Sequence, residues 1–328
     1  MSWKIEMKKI VFVIPYFGHF NNYFDIWLNS CKNNPTIDWI IFTDCMDAHP
    51  YPSNVKVINT TFEELRDSFQ SHFDFKISLD KPYKLCEYRP AYGDLFYEYI
   101  KDYDFWGYCD TDLVWGDMRK FITDNMLNRY DKIGNRGHCC LMRNDERMRK
   151  AYRYESSTIV TYRDAFSSDL AYCFDEQKAF GRYCHENGIE TCDNFTFFDI
   201  DYRHDDYRIP LYEKEQFEYD AHNVFEYQNG KLFLRWVKRG TNEMHQKEIL
   251  YAHFQKRSMQ MGIDKSCFDK FMIWGDCFRA YQDNLNADDI IKYDPKSFKR
   301  HLYLKILWKK IKAEYLLGSG VKYYKYPY

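Results

Sequence analysis

The sequence lacks the features that mark secreted, membrane-spanning and nucleic-acid-binding proteins. The apolar run Ile10–Ile14 stops at Pro15, so it is too short for the hydrophobic region of a signal peptide. No stretch approaches the roughly 20 apolar residues of a membrane-spanning helix. The formal net charge of −2 at pH 7 shows no basic excess of the kind that binds nucleic acid. We therefore expect a cytoplasmic protein without a nucleic-acid partner.

The cysteines follow no regular framework. There are 11 of them, Cys139 and Cys140 are adjacent, and no two have the C-x-x-C spacing. Disulfide scaffolds and zinc ribbons both depend on regular spacing. The pattern therefore indicates reduced thiols in an intracellular protein. Internal repeats and low-complexity linkers are also missing from the sequence.

The first 70 residues alternate short apolar runs with segments of helical periodicity. Strands are predicted at Lys9–Ile14, Trp39–Thr43 and Val55–Ile58, and helices at Asn22–Cys31 and Thr61–Gln70. This alternation predicts an α/β fold whose mostly parallel sheet is connected by crossover helices. We expect that domain to occupy residues 1–260 and a helical C-terminal extension to occupy 261–328.

A pair of acids follows a predicted buried strand. Of the three Asp-x-Asp pairs in the chain, only Asp110 and Asp112 are embedded in an apolar segment, between the run Phe105–Cys109 and the run Leu113–Trp115. Side chains two residues apart in a strand point the same way, so both carboxylates are expected on one face. Acids in apolar surroundings are costly without a cation, and their oxygens suit Mn²⁺ or Mg²⁺. The alternative is a pair of solvated acids at a strand end.

The residues around this pair resemble a known family. The run Tyr108-Cys-Asp-Thr-Asp-Leu-Val-Trp-Gly-Asp117 is similar to the metal-binding Asp-x-Asp segment of GT-A glycosyltransferases. The upstream run Lys84-Leu-Cys-Glu-Tyr-Arg89-Pro-Ala-Tyr-Gly93 resembles glycogenin-like and lipopolysaccharide-sugar transferases. Residues 8–257 as a whole resemble proteins of bacterial capsule and O-antigen clusters. The resemblance implies a GT-A-like (Rossmann-like) fold, a Mn²⁺ or Mg²⁺ ion and a nucleotide-sugar donor, with UDP as its nucleotide.

The donor contacts are predicted at the same edge of the sheet. Ligands of open α/β sheets bind beyond the carboxyl ends of the strands. By resemblance, the base and ribose are held by residues that follow the first two strands, namely Pro15, Tyr16, Phe17 and Asp44. Asp44 could equally be a turn residue. Lys84 and Arg89 are candidate phosphate or donor contacts, and Arg89 could instead pair with the acids.

A late segment adds a third candidate metal ligand. The run Leu250-Tyr-Ala-His253-Phe-Gln-Lys256-Arg257 resembles the late His-then-Lys motif of glycogenin-like transferases, although the spacing is shorter and the glycine is missing. The resemblance implies that His253 completes the metal shell and that Lys256 and Arg257 hold the diphosphate. An imidazole ligand favours Mn²⁺ over Mg²⁺. The alternative is a strand-end histidine beside surface cations.

We expect the carboxylate that accepts the proton of the acceptor hydroxyl to lie after the strand that leads to Asp110 and Asp112. Asp175 and Glu176 follow an aromatic run and are the candidates. They could instead be acids that favour the start of a helix. The acidic segment 193–207 competes for the role through Asp193, Asp199 and Asp201. For His138, contact with the acceptor and a structural role are both open.

The tail from Lys296 to Tyr328 differs from the rest of the chain, with nine Lys and Arg residues against one acid, Glu314. Apolar and basic side chains fall largely on opposite sides of a helix drawn through it: Leu304, Leu307, Trp308, Ile311 and Tyr315 against Lys305, Lys309, Lys310 and Lys312. A basic amphipathic helix with Trp is typical of binding to an anionic membrane surface. The alternative is a helix that packs on the body with extended lysines.

Together these features predict a metal-dependent hexosyltransferase. It would move a sugar from a nucleotide diphosphate to a glycan or lipid-linked glycan acceptor, a surface-polysaccharide precursor, at the inner face of the membrane. Two alternatives stay open. A metal-dependent nucleotidyl- or phosphotransferase needs the same acids and cations, and a non-catalytic glycan- or membrane-binding protein would use Asp110 and Asp112 only for folding.

Overall fold

The computed structural model describes residues 7–193, 196–200, 221–255 and 257–292, together with 304, 308, 326 and 327. Within these residues the chain forms a mixed α/β fold, in which a seven-stranded, mostly parallel sheet is flanked by helices. The predicted fold class is therefore confirmed.

The elements of the described residues are numbered in chain order. The strands are β1 (Ile10–Pro15), β2 (Ile37–Thr43), β3 (Val55–Asn59), β4 (Phe105–Cys109), β5 (Leu113–Trp115), β6 (Lys132–Arg136), β7 (Cys139–Arg143), β8 (Leu170–Ala171), β9 (Thr191–Cys192), β10 (Phe198–Asp199), β11 (Ala221–Gln228), β12 (Lys231–Lys238), β13 (Met244–Ile249), β14 (Tyr251–His253), β15 (Gln260–Met261), β16 (Lys270–Trp274), β17 (Cys277–Ala280) and β18 (Tyr326–Pro327).

The α-helices are short. They are α1 (Phe24–Lys32), α2 (Phe62–Gln70), α3 (Leu85–Tyr88), α4 (Tyr92–Leu95), α5 (Tyr97–Ile100), α6 (Met118–Phe121), α7 (Asp124–Arg129), α8 (Glu146–Lys150), α9 (Tyr162–Phe166), α10 (Arg182–Glu186) and α11 (Ala287–Lys292). Single 3₁₀ turns occur at Pro82–Lys84, Arg89–Ala91, Ala151–Arg153 and Lys265–Cys267, and a π-helical turn at Gln177–Gly181.

The seven-stranded sheet has the order β3-β2-β1-β4-β7-β6-β9. Its strands are parallel except β7, which runs antiparallel to β4 on one side and to β6 on the other. Consecutive residues of β1 contribute to two separate apolar clusters: Val11 and Val13 to one, Phe12 and Ile14 to the other. The sheet is thus covered on both faces, which explains why its strands are continuous apolar runs.

Three further sheets complete the fold among the described residues, the smallest of which pairs β18 with β8. A three-stranded sheet, β10-β14-β5, follows directly from the end of β4. A six-stranded sheet, β13-β12-β11-β16-β17-β15, carries a third apolar cluster. Strands β16 and β17 lie at Lys270–Ala280, where the sequence analysis expects helix. That expectation is corrected for these residues, because β16 pairs with β11 across Phe225 and Ile273, a contact that no local pattern reveals.

None of the 11 cysteines, all of which lie within the described residues, takes part in a disulfide. Among the described residues, no helix has both the length and the apolar character needed to cross a bilayer. Most of the tail 296–328, and with it the predicted basic amphipathic helix, lies outside the described residues.

Candidate active site

The Asp-x-Asp pair lies in a bend between β4 and β5 rather than in an extended segment. The backbone N–H of Asp110 donates to the carbonyl of His138 over 3.0 Å, and the carbonyl of Asp112 accepts from the N–H of Phe254 over 2.9 Å. The bend is therefore fastened to the start of β7 and to the end of β14. The backbone differs from the extended pair predicted, because the chain turns there from one sheet into another.

The three side chains predicted as metal ligands converge at this bend. Nε2 of His253 lies 3.3 Å from Oδ1 of Asp112 and 3.7 Å from Oδ2 of Asp110. The three potential ligand atoms all lie within 4.8 Å of one another. His253 reaches this position because β14 pairs antiparallel with β5, opposite Leu113. Two carboxylate oxygens and one imidazole nitrogen form a donor set that suits Mn²⁺.

The other nitrogen of His253 is held by a buried acid. Nδ1 lies 2.8 Å from Oδ1 of Asp199, and the same oxygen accepts from Nε2 of Gln255 over 2.8 Å. Asp199 is only 2% exposed and lies opposite His253 in the parallel pairing of β10 with β14. The ring is thereby oriented with Nε2 toward the acids of the bend.

Charge in this cluster is shared between acids and imidazoles. Burial opposes a charged imidazole, but Asp112 and Asp199 outweigh it and hold the pKa of His253 well above its usual range. Burial likewise opposes the charge on Asp199, yet the hydrogen bonds from His253 and Gln255 lower the pKa of that carboxyl. The centre therefore attracts positive charge strongly, which is what a cation site requires.

His138 packs against the centre as a neutral ring. Its Nε2 lies 3.1 Å from the hydroxyl of Tyr251, and its ring centroid lies 4.2 Å from that of His253. Burial, followed by the field of His253, lowers the pKa of His138 to about 3. Of the two roles left open by the sequence, this environment matches the structural one.

The turn after β1 lies beside the acids. Burial, then the charges of Asp112, Cys45 and Asp110, raise the pKa of Tyr16. Nδ2 of Asn21 donates to the carbonyl of Thr111, inside the bend, over 3.1 Å. The predicted nucleotide contacts in this turn therefore lie next to the predicted metal ligands.

The end of β2 joins the same edge of the sheet. Oδ1 of Asp44 accepts from the N–H of Gly18 over 2.9 Å, which couples the loops after β1 and β2. Gly18 has φ of +96°, a conformation that glycine adopts without strain. Pro15 ends β1, and Phe17 packs edge-on against Phe62 at 5.4 Å. Asp44 thus has the turn role that the sequence left open, at the position predicted for the nucleotide.

Arg89 links the bend to Asp175. Its guanidinium pairs with Asp110 and lies 3.1 Å from Oδ2 of Asp175, and it also donates to the carbonyl of Gly137. A Cβ at Gly137 would lie 2.9 Å from Oδ2 of Asp175 and 3.3 Å from Nη1 of Arg89, so this position needs glycine. The structure matches the alternative in which Arg89 pairs with the acids.

The candidate bases differ in their surroundings. The carboxyl of Asp175 is 5% exposed; burial raises its pKa to about 7, although Arg89 opposes the shift. Glu176 is partly buried and directly precedes the π-helical turn. A pKa near neutrality suits a general base, whereas the pairing of Asp175 with Arg89 also suits a positioning role.

Lys84 stabilises the segment that leads to Asp175. It is 3% exposed, burial lowers its pKa, and its ammonium donates to the carbonyl of Leu170. The neighbouring Glu87 accepts from three consecutive backbone N–H groups of the same segment, at 2.9–3.0 Å, namely those of Tyr172, Cys173 and Phe174. The observed surroundings of Lys84 are thus those of a buried structural cation.

Of the two basic residues in the late motif, the structure describes one, Arg257. Arg257 is 8% exposed and donates to the carbonyl of Gly275 over 3.4 Å, in the turn between β16 and β17. Lys256 lies outside the described residues.

The role of Asp199 as the partner of His253 was not predicted from the sequence, where Asp199 was only an alternative candidate base in the acidic segment 193–207. Phe197 and Phe198 precede it, as an aromatic run precedes Asp110. This aromatic lead-in was the available signal. No local sequence signal marks the roles of Glu87 and Asn21. The hydrogen-bond partners of Glu87 lie 85–87 residues away in the sequence, and that of Asn21 lies 90 residues away.

Comparison with known proteins gives a family. The model of DUF6625, described as a family of unknown function, matches residues 12–282.

The chain belongs to the DUF6625 family.

The DUF6625 match includes every predicted site residue and ends before the basic tail. No curated protein matches the sequence. Among solved structures, the chain is similar to the galactosyltransferase LgtC, solved in complex with donor and acceptor sugar analogues. The identity is 11%, the alignment covers 79% of this chain and 91% of that chain, and the TM-score is 0.33.

Proposed function

We propose that this DUF6625 chain is a Mn²⁺-dependent glycosyltransferase that uses a nucleotide-sugar donor. The observation that carries the proposal is the convergence of Asp110, Asp112 and His253 beside the turn after β1. His253 lies 141 residues after Asp112 in the sequence. The three side chains nevertheless meet at an edge of the sheet where the strands end. In open α/β sheets that edge is the usual place for a nucleotide.

The residues present fit a divalent cation. Two carboxylates and one imidazole within 4.8 Å offer hard and borderline donors. A bound Mn²⁺ would stabilise the negative charge that develops on the departing diphosphate. Asp199 would orient His253, and Arg89 would hold Asp110 in place while offsetting part of its charge.

The remaining assignments complete the proposal. Tyr16 and its neighbours in the turn after β1 would contact the nucleotide, and UDP is the nucleotide we propose. Lys256 and Arg257 would approach the diphosphate. Asp175 or Glu176 would accept the proton of the acceptor hydroxyl if the reaction inverts the anomeric centre. The acceptor would be a glycan or lipid-linked glycan on the way to a surface polysaccharide.

The test is thermal unfolding of the 328-residue chain with UDP, with and without Mn²⁺. A ligand at 100 times its Kd stabilises the folded state by about 2.7 kcal/mol, so UDP should raise Tm only when Mn²⁺ is present. Asp112→Asn should abolish this shift and leave the Tm without ligand close to that of the wild type. Asp102→Asn is the matched control, because Asp102 belongs to another Asp-x-Asp pair and is exposed.

Two outcomes would contradict the proposal. If UDP raises Tm equally without Mn²⁺, or if the rise in Tm persists in Asp112→Asn, the proposed metal centre is wrong. The chemistry is then tested by mass spectrometry of products formed from UDP-sugars and oligosaccharide acceptors. A product heavier by a hexose supports glycosyl transfer, whereas a product heavier by a phosphate or nucleotide indicates a phospho- or nucleotidyltransferase.

A further inference from the structure

We propose that His19, Cys45 and Asp47 form a second cation site, which takes a borderline ion such as Zn²⁺ or Co²⁺. The three residues come from the loops after β1 and β2. They share no ligand atom with the centre formed by Asp110, Asp112 and His253. Results for this second site therefore neither support nor contradict the proposed function.

The distances between the three side chains are those of ligands around one ion. Nδ1 of His19 lies 3.0 Å from Oδ2 of Asp47, and Sγ of Cys45 lies 3.4 Å from the same oxygen. All three potential ligand atoms lie within 4.8 Å of one another. Tetrahedral zinc has bonds of about 2.0–2.3 Å, which place its ligands about 3–4 Å from each other. Little movement is thus needed for a cation to enter.

The donor set selects the kind of cation. Imidazole nitrogen, thiol sulfur and carboxylate oxygen together match Zn²⁺ and Co²⁺, whereas Mn²⁺ prefers oxygen donors. Binding forms a bond from Sγ to the metal and releases the thiol proton to solvent. The side chains of His19 and Asp47 are 88% and 54% exposed, so water can occupy the remaining position. The chain would therefore hold two cation sites that differ in hardness.

The two loops are already coupled at this place. The N–H of Gly18, next to His19, donates to Asp44 of the other loop, and within that other loop the N–H of Cys45 donates to Oγ1 of Thr43 over 3.1 Å. An exposed His–Asp pair alone contributes little to such coupling. A cation bound by His19, Cys45 and Asp47 would cross-link the loops beside Tyr16, whose hydroxyl donates to the carbonyl of His19 over 3.0 Å.

The experiment is a titration of the chelator-treated, reduced 328-residue chain with Co²⁺, followed in the near ultraviolet. Thiolate bound to Co²⁺ produces a charge-transfer band that oxygen and nitrogen ligands do not. We expect the wild type to develop this band as Co²⁺ is added and Cys45→Ser to lack it. His19→Ala should weaken the Co²⁺ affinity by more than about tenfold, since even the partners of ligands contribute that much. Zn²⁺ should abolish the band by competition.

Two control variants make the result specific. Cys267→Ser removes another partly exposed thiol, and Asp112→Asn removes a ligand of the other centre; both should keep the band. Because His19 is largely exposed, His19→Ala should fold normally. It therefore tests the site even if Cys45→Ser fails to fold. A wild type without the band, or a band that persists in Cys45→Ser or at full strength in His19→Ala, would overturn the proposal.

Discussion

At the scale of single residues, the orientation of His253 decides whether its Nε2 can bind a metal. Nδ1 is held by the buried carboxylate of Asp199 at 2.8 Å, which fixes the proton on Nδ1 when a metal is bound at Nε2. In Asp199→Asn the amide can donate to Nδ1 instead, and the proton then moves to Nε2. We expect this variant to bind Mn²⁺ about 10–100-fold more weakly, as measured by calorimetry.

The control for this prediction is Asp193→Asn, which removes another acid paired with a histidine, His185, at 2.9 Å. It should keep the wild-type Mn²⁺ affinity. The ¹⁵N shifts of the His253 ring report which nitrogen carries the proton. Unchanged shifts and unchanged Mn²⁺ affinity in Asp199→Asn would mean that Asp199 only stabilises the fold.

A second prediction at the scale of single residues concerns Asp175. Burial raises the pKa of its carboxyl to about 7, although the nearby Arg89 opposes the shift. The unfolded value is about 3.9, so the folded state holds this proton more tightly. The contribution to stability is therefore full below the unfolded pKa and is lost as pH rises through the folded pKa. Asp175→Asn should flatten the pH dependence of the free energy of unfolding between about pH 4 and pH 7, as measured by urea unfolding in EDTA.

The exposed Asp102→Asn variant should keep the wild-type profile in the same measurement. If Asp175→Asn also keeps that profile, the carboxyl of Asp175 is charged throughout and pairs fully with Arg89. The same variant separates the two roles in catalysis: loss of transfer with normal Mn²⁺ affinity indicates a base, whereas weaker Mn²⁺ binding indicates a residue that positions Asp110 through Arg89.

At the scale of elements, the local patterns predicted the first half of the sheet well. The predicted strand Lys9–Ile14 is observed at Ile10–Pro15, and the predicted helix Thr61–Gln70 at Phe62–Gln70, where Thr61 forms a capping box with Glu64. These elements are encoded by apolar runs and by a capping box that spans only the four residues from Thr61 to Glu64. The signals that define them lie inside the elements themselves.

Elements that depend on distant partners were predicted less well. Strand β10 has two residues and exists through its pairing with β14, 54 residues later. Strand β16 is stabilised by β11 in the same way. The convergence of His253 with Asp110 and Asp112 could be anticipated by resemblance, but the support of Asp199 could not, because it depends on the register of β10 and β14.

The same pairing predicts where the chain can be shortened. Phe271, Ile273 and Phe278 are fully buried in the cluster of the six-stranded sheet, and burial of each such side chain contributes about 1.5–3 kcal/mol. A chain ending at residue 260 would lose them and leave β11 without its neighbour β16. We expect it to lack cooperative thermal unfolding in circular dichroism, whereas a chain ending at Pro295 should retain it. Cooperative unfolding of the 260-residue chain near the wild-type Tm would support the domain boundary predicted at 260.

At the scale of the whole molecule, charge is distributed unevenly along the chain. The segment 296–328 carries nine of the 47 Lys and Arg residues but only one of the 49 acids. The body is therefore acidic and the tail basic. Of the tail's apolar residues, the structure describes Leu304 and Trp308 with their side chains, four residues apart and both exposed. This spacing places them on the same side of a helix.

We therefore expect the tail to bind anionic membranes reversibly. Each lysine near such a surface contributes about 1 kcal/mol, screened by salt, and burial of Trp308, now 70% exposed, adds about 25 cal/mol per Å². The 328-residue chain should sediment with phosphatidylglycerol vesicles at low salt, be released at high salt, and ignore phosphatidylcholine vesicles. The chain ending at Pro295 should stay in the supernatant throughout. If the long chain ignores anionic vesicles, or if the shortened chain loses cooperative unfolding, the tail packs on the body instead.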